Sequence, residues 1–176
     1  LNAAFDSLTV RENIDIAAYF GRGKRPVPGF RLGRDVREQT EAALAFVGLA
    51  DKADETVAQL PVLDRKLLMI AGAIATRPKM LFLDEPVGGL NTSEIDHIMQ
   101  LVMRLKGDGL TVVLIEHVMR FLLALSSRVI IMHHGKKIFE GLPNQVAEDP
   151  VVVETYLGEG TQKRLKKYFA EGEAHP

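Results

Sequence analysis

The chain contains no cysteine among its 176 residues, which excludes disulfide frameworks and thiolate metal sites. An excess of charge of one sign is also missing, because 22 basic and 23 acidic side chains leave a formal net charge of -1. Such a balance is not typical of nucleic-acid-binding proteins, and we expect no nucleic-acid partner. Its apolar runs are too short to span a bilayer, and no secretory pattern opens the chain. With 47% hydrophobic residues, the composition is that of a globular protein with a packed core.

The first part of the chain has helical patterns. Thr9 and Glu12 have the spacing of a capping box, and apolar residues follow at helical intervals. A second amphipathic pattern, at residues 35–47, ends at Gly48, a residue favoured at helix C-termini. A third, at residues 64–75, has a broad apolar face. Residues 21–33 are rich in glycine, proline and basic side chains, which a solvated loop explains better than a phosphate- or lipid-facing patch.

The pattern changes after Lys79. Residues 80–83 and 111–115 are continuous apolar runs, as expected for strands buried on both faces of a parallel sheet. The helical pattern between them, residues 93–106, completes a strand–helix–strand crossover. Further on, apolar segments on both sides of Gly135 predict a β-hairpin. Short helices follow, and the polar tail is expected to fray.

Two adjacent acids, Asp84 and Glu85, directly follow the first apolar strand. Because burying unpaired carboxylates is costly, acids at a strand tip indicate a bound cation or an active-site cleft. In doubly wound sheets, ligands bind at the carboxyl ends of the strands, where these acids lie. One acid can hold Mg²⁺ through water while the other orients or deprotonates an attacking water. The alternative is that both acids only cap the next turn, but the apolar strand before them and Pro86 after them favour function.

His117 follows the second apolar run as Asp84 follows the first. A lone histidine is more often structural, but the matched position at a strand tip favours a contact with a terminal phosphate and the attacking water. We therefore predict that Asp84, Glu85 and His117 lie at one edge of a parallel sheet.

The order of these features resembles the second half of an ABC-type ATPase. Asp84 and Glu85 match the Walker B aspartate and the catalytic glutamate, and His117 matches the switch histidine. Residues 87–91, which end in Asn91, match the D-loop that faces a partner subunit. Within this family, the sequence is similar to the ATP-binding subunits of branched-chain amino-acid importers. The points of similarity lie at residues 8–13, 47–53, 89–91, 116–117 and 136–141.

The resemblance implies an α/β fold in which part of a P-loop NTPase (RecA-like) core, with a parallel sheet, follows an N-terminal helical lobe. The predicted domains are the helical lobe at residues 1–58, the partial ATPase core at residues 59–157 and the tail at residues 158–176. ATP and Mg²⁺ are the implied cofactors. The implied partners are a second ATPase subunit, in a homo- or heterodimer, and membrane permease subunits that contact the helical lobe. Such a protein would lie at the cytoplasmic face of the cell membrane.

Two departures from the family pattern affect the nucleotide site. The glycine-rich phosphate-binding loop with its lysine is absent. The family places that loop upstream, so we expect that the chain lacks an N-terminal part and does not hydrolyse ATP alone. The second departure lies in the signature that contacts the partner subunit's nucleotide, where the family has a Leu-Ser-Gly-Gly-Gln type of sequence. The residues at these five positions are Leu60, Pro61, Val62, Leu63 and Asp64.

The altered signature changes what the start of the third helix offers to a phosphate. Val62 and Leu63 add side chains where the backbone must approach closely. Asp64 adds a negative charge there, although it suits the N-cap of the helix. Two other functions therefore stay open. One is a pseudo-ATPase interaction module, and the other is a non-transport ABC protein of translation or DNA repair, although such proteins usually carry paired cassettes or long insertions.

Overall fold

A computed structural model describes residues 4–21, 32–157, 160, 162–163 and 165–167. The chain divides into two compact units, Leu1–Val113 and Leu114–Pro176. The basic loop predicted at residues 21–33 lies almost wholly outside the described residues. No helix in the described part of the chain is long and apolar enough to cross a membrane.

Three helices of the first unit pack against one another: α1 (Val10–Phe20), α2 (Arg34–Val47) and α3 (Val62–Ala75). The predicted capping box of α1 is confirmed, because Thr9 and Glu12 each bond the other's backbone N–H. The end of α2 at Gly48 is also confirmed, in the left-handed conformation with φ of 77°. The helices bury apolar side chains from all three members, including Val10, Ile14, Ala18, Val36, Ala43, Leu44, Leu67, Leu68 and Ala71.

The domain boundary predicted at residue 58 lies between α2 and α3, and α3 packs against both α1 and α2. Residues 49–59, which connect α2 to α3, form two short 3₁₀ turns, Ala50–Lys52 and Val57–Gln59. The predicted domains describe a longer protein and stay a prediction. Within this chain, the three helices form one packed group.

A crossover of β1 (Met80–Asp84), α4 (Thr92–Gly107) and β2 (Thr111–Ile115) follows, and β1 and β2 are neighbours in a sheet. The prediction of an α/β fold with a parallel sheet is confirmed. The expected burial of β1 on both faces is wrong. Leu81 and Leu83 are buried, whereas Met80 and Phe82 are 47% and 67% exposed. Because successive side chains of a strand point to opposite faces, β1 is covered on one face only.

The second unit contains α5 (Met119–Leu125), β3 (Val129–His133), β4 (Lys136–Gly141) and the short α6 (Pro150–Val152). The predicted hairpin is confirmed, since β3 and β4 pair antiparallel. Its turn residues His134 and Gly135 both have positive φ, 45° and 75°, as in the turn type that matches the twist of a two-residue hairpin.

The helix α5 was not predicted, and the tail differs from the prediction where it is described. Residues 162–163 and 165–167 are helical. Leu165 is buried in the apolar cluster of the second unit with Leu123, Val129 and Val152. The tail therefore contributes to a core instead of fraying at these positions.

Candidate functional site

Asp84, the last residue of β1, and Glu85, which follows it, are both exposed to solvent. Glu85 has a φ of 46°, a left-handed conformation that is uncommon for a residue other than glycine. The strand ends here and a turn begins. In this turn, the carbonyl oxygen of Glu85 accepts a hydrogen bond of 3.3 Å from the N–H of Gly88. The strand tip thus presents two carboxylates whose backbones have different conformations.

Lys66 of α3 fixes the backbone at this strand tip. Its Nζ donates a hydrogen bond of 3.0 Å to the carbonyl oxygen of Glu85. The ammonium group lies on the helix that begins with the altered signature. A cation on α3 is therefore tied to the backbone of the proposed general base, a contact that sequence reasoning missed.

Asn91 ends the turn and caps α4. Its Oδ1 accepts hydrogen bonds from the N–H of Glu94, at 3.1 Å, and from the hydroxyl of Ser93, at 2.8 Å. The carboxylate of Glu94 accepts the N–H of Asn91 at 2.8 Å in return. Asn91, a candidate nucleotide-binding residue in the loop that by resemblance faces a partner subunit, therefore has a structural role in this chain as well.

The start of α3 differs from the sequence prediction. The N-cap is Pro61, and no side chain caps the helix, so the prediction of Asp64 as N-cap is wrong. Asp64 is the third residue of α3, and its buried carboxylate forms an ion pair with Lys52. The helix starts at Val62, two residues before Asp64, because Pro61 has a non-helical backbone with ψ of 162° and takes the N-cap position. Since the first N–H groups of a helix have no intrahelical partner, the start of α3 keeps backbone donors.

The pairing of Asp64 with Lys52 changes the electrostatics of the altered signature. The hydrogen bond that Lys52 donates to Asp64 raises the pKa of Lys52 above its usual value. Asp64 is therefore not an exposed negative charge at this helix end. Of the other signature residues, Leu60 is buried and Val62 is 55% exposed, so the bulk added at Val62 lies at the surface.

His117 lies in the second unit, in the segment that leads into α5. Its imidazole is 63% exposed, and its Nδ1 is 3.8 Å from Oε2 of Glu116. That oxygen accepts the N–H groups of His117 and Val118, at 3.0 and 3.2 Å. A fully buried carboxylate thus holds the backbone of the segment while the imidazole faces solvent. Sequence reasoning missed this role of Glu116. The available signal was that Glu116 is an acid directly after an apolar strand.

The structure places Asp84 and Glu85 at the end of β1, residues 60–64 at the start of α3 and Asn91 at the start of α4. His117 follows β2 in the other unit. The common sheet edge predicted for His117 and the two acids stays a prediction.

Asp84 fits a magnesium ion that arrives with a nucleotide. Among the described residues, no group of three or more carboxylates and imidazoles is arranged to hold a metal ion. Mg²⁺ is commonly bound through one or two carboxylates, several waters and substrate phosphates. A single exposed carboxylate at a strand tip is sufficient for that kind of site, and Asp84 supplies one.

A separate apolar groove runs along α1. It has a volume of about 250 Å³, and its lining includes Ile16, Tyr19 and Phe20, with Glu12 and Asp15 among the apolar side chains. Phe20 is 53% exposed. Burial raises the pKa of Asp15, a shift that the hydrogen bond from Thr40 opposes. The groove therefore combines apolar surface with acidic groups.

Comparison with known proteins places these features in a family context. A family model described as ABC transporter matches residues 2–88. The branched-chain amino acid transport ATP-binding protein BraF of Pseudomonas aeruginosa is 34% identical over 165 residues, which is 88% of this chain and 64% of BraF. LivG of Escherichia coli, which has the same description, is 31% identical over 163 residues, with 88% and 64% covered. The chain thus spans about two thirds of the length of these relatives, 64%.

Solved structures give the same result. An ATP-binding cassette of an ABC transporter, MJ1267, in its ADP conformation has a TM-score of 0.74 and 29% identity, over 88% of this chain and 64% of that chain. A nucleotide-free ATP-binding cassette from an ABC transporter has a TM-score of 0.76 and 29% identity, with the same coverage.

Proposed function

Since the chain belongs to the ATP-binding cassette family, we propose that it is part of the ATP-hydrolysing subunit of an importer for branched-chain amino acids or related solutes. The names of BraF and LivG support the solute class. The observation that carries the proposal is the pair of exposed acids at the tip of β1, with Glu85 in a left-handed conformation.

Each acid has its own role in the proposed reaction. Asp84 would hold Mg²⁺ through water, and an ion held there would supply neutralisation of the phosphate charge. Glu85 accepts a proton from the attacking water, with its backbone fixed by Lys66. His117 hydrogen-bonds the terminal phosphate, and the buried carboxylate of Glu116 positions the segment that carries it.

A second subunit completes the proposed site. The N–H groups of Val62, Leu63 and Asp64, in the first turn of α3, would face the terminal phosphate of the ATP bound by the partner. Asn91 lies in the turn that contacts the partner. Two subunits close on two ATP molecules and separate after hydrolysis.

The groove along α1 supports a contact with a permease subunit at the cytoplasmic face of the membrane. Exposed Phe20 offers an apolar anchor, and Glu12 and Asp15 offer negative charge. An amphipathic helix with basic residues beside its apolar face is complementary to this surface. Helix-in-groove binding would place the helical lobe against the membrane subunits.

A glutamine substitution at Glu85 tests the proposal in the full-length protein. Glu85→Gln should keep ATP binding and lose turnover by about a hundredfold or more, because an amide cannot accept the proton. ATP should then stabilise the dimer. Phosphate release and sedimentation with Mg-ATP measure the two effects, and Glu148→Gln, at an exposed position of the second unit, is the matched control. Wild-type turnover in Glu85→Gln would exclude the general-base role.

The 176-residue chain alone should not hydrolyse ATP. Phosphoryl transfer depends on positioning and on cancelling phosphate charge, and this sequence has no glycine-rich loop with a lysine to grip the phosphates. Exposed apolar side chains on β1, such as Phe82, favour self-association. Calorimetric titration with Mg-ATP and a phosphate-release assay test this. Micromolar binding with steady turnover would contradict it.

A pseudo-ATPase is the second candidate function. The start of α3 favours it, because Val62 and Leu63 stand where the family has glycines. In that case the full-length protein binds Mg-ATP and dimerises without turnover. A turnover rate that Glu85→Gln abolishes would exclude this candidate.

A further inference from the structure

A second pocket of the first unit is lined by residues other than the proposed nucleotide residues. Its cavity volume is about 370 Å³, and α2, the end of α3 and the end of α4 line it. The pocket includes Pro78, which precedes β1, whereas Asp84 is the last residue of that strand. It therefore lies by the amino end of β1, and it shares no residue with the proposed ATP site.

An amide oxygen without a hydrogen-bond partner among the described residues belongs to a side chain that lines this pocket. Gln39 of α2 is only 4% exposed, and its Oε1 is buried without a partner in the part of the chain that the structure describes. A buried carbonyl oxygen normally has a partner, because leaving it unpaired costs free energy. A bound molecule that donates a hydrogen bond would supply that partner.

Two opposite charges line the same pocket, Arg77 and Asp108. Neither side chain forms an ion pair with another described residue. Both are held in positions that cost stability. Arg77 has a left-handed φ of 49° after the end of α3, where glycine is usual. Asp108 caps the carboxyl end of α4, where the helix dipole disfavours a negative charge. Unfavourable conformations and charges that persist are often functional.

The floor of the pocket is apolar and fixed. Phe46 of α2 lies under the guanidinium of Arg104, at 4.3 Å from the ring centroid, and its carbonyl oxygen accepts a hydrogen bond from that group at 3.4 Å. Ile74 and Leu105 complete the apolar surface. An aliphatic group would remove this surface from water.

We propose that this pocket binds a small zwitterion with an aliphatic part, of which a free aliphatic amino acid is the simplest example. The ligand carboxylate pairs with Arg77, and the ammonium group pairs with Asp108 and donates to Gln39. The aliphatic part covers Phe46. The volume lies within the range of small-molecule sites. Binding here does not depend on the proposed ATPase function, so the failure of either proposal leaves the other standing.

Titration of the full chain with L-leucine tests the proposal, by calorimetry and by ligand-observed NMR. Leucine should bind saturably, and N-acetyl-L-leucinamide, which has the same side chain and no charges, should bind at least about tenfold more weakly, since charge-assisted hydrogen bonds are lost. Arg77→Gln and Asp108→Asn should each weaken leucine binding by about tenfold or more. Arg34→Gln, an exposed change on α2, is the control and should leave binding unchanged.

Gln39→Leu separates binding from folding. This variant should lose leucine binding while melting at or above the wild-type temperature, because a side chain with an unpaired buried amide oxygen is replaced by an apolar group. Three results would overturn the proposal: no leucine binding, equal binding of the uncharged analogue, or wild-type affinity in Arg77→Gln.

Discussion

Asp84 and Asp64 lie in the same unit, but their surroundings are opposite. Asp84 ends β1 and is exposed, whereas Asp64 lies in the first turn of α3, buried and paired with Lys52. Only the exposed acid can exchange its water for a metal ion without breaking an existing contact. The difference teaches that the acid in the altered signature stabilises the helix, while the acid of the strand tip is available for chemistry.

The starts of α3 and α4 extend this comparison. α4 has a complete capping box made by Asn91 and Glu94, whereas α3 has Pro61 and no side-chain cap. Side-chain caps satisfy N–H groups that would otherwise bind water or an anion. The helix that begins with the altered signature thus keeps the backbone feature that phosphate binding needs, although its glycines are replaced.

Substitution of Asp84 should give the largest effect. In the full-length protein, Asp84→Asn should lower turnover by on the order of a hundredfold, since the metal contributes several kcal/mol of charge stabilisation. Asp51→Asn, at an exposed position outside the site, should turn over at the wild-type rate. Phosphate release at saturating Mg-ATP measures both. Equal rates for the two variants would remove the functional distinction between exposed and buried acids.

Glycines at the altered signature should restore part of what the family pattern has. Val62→Gly combined with Leu63→Gly should raise ATP turnover several-fold by opening the approach to the backbone. The same change should lower the free energy of unfolding by up to about 1 kcal/mol per position. The matched control is the double alanine variant, which shortens the side chains and keeps backbone stiffness. If turnover does not rise in the glycine variant, the added side chains are not the obstacle.

The Lys52–Asp64 pair should be visible as a pH dependence of stability. Because the pKa of Lys52 is raised above 10.5 in the folded state, the contribution is complete below that value and is lost as the pH rises through the folded pKa. Asp64→Asn should therefore lower Tm by a few degrees at neutral pH, and its difference from the wild type should shrink above about pH 10.5. Thermal melts from pH 7 to strongly alkaline conditions test this, and a difference independent of pH would contradict it.

Removal of the α4 cap should have the smallest effect. Asn91→Ala should lower the free energy of unfolding by about 1 kcal/mol, whereas Asn91→Asp keeps an oxygen that accepts the N–H of Glu94. Urea unfolding of both variants gives the values. A larger loss in Asn91→Asp than in Asn91→Ala would show that the capping bond does not account for the stability.

Local signals in the sequence predicted much of the fold. Thr9, Glu12 and Gly48 act within one turn of the helices they bound, so their effect could be predicted without knowledge of packing. The hairpin at Gly135 is local in the same way. By contrast, α5 has only seven residues, too few for its periodicity to be clear, and the exposure of Phe82 depends on what covers the sheet.

The sequence was sufficient to predict which residues form the candidate site, but not which side chains surround and bind them. The apolar strand and the acids identify Asp84 and Glu85, but the bond from Lys66 to the carbonyl of Glu85 joins residues 19 positions apart. The pairing of Asp64 likewise depends on the turn that carries Lys52. The role of Glu116 requires a fully buried carboxylate. Such contacts arise from tertiary packing, which no pattern of neighbouring residues shows.

The left-handed backbone at Glu85 affects which mutations at this position the fold tolerates. Glycine is the residue best suited to that conformation, and every glutamate codon becomes a glycine codon by one base change. Such a mutation removes the proposed base, and the glycine adopts the left-handed conformation without strain. Selection on folding alone would not eliminate it, so inactive copies of this gene would still yield folded protein able to occupy a partner's binding surface.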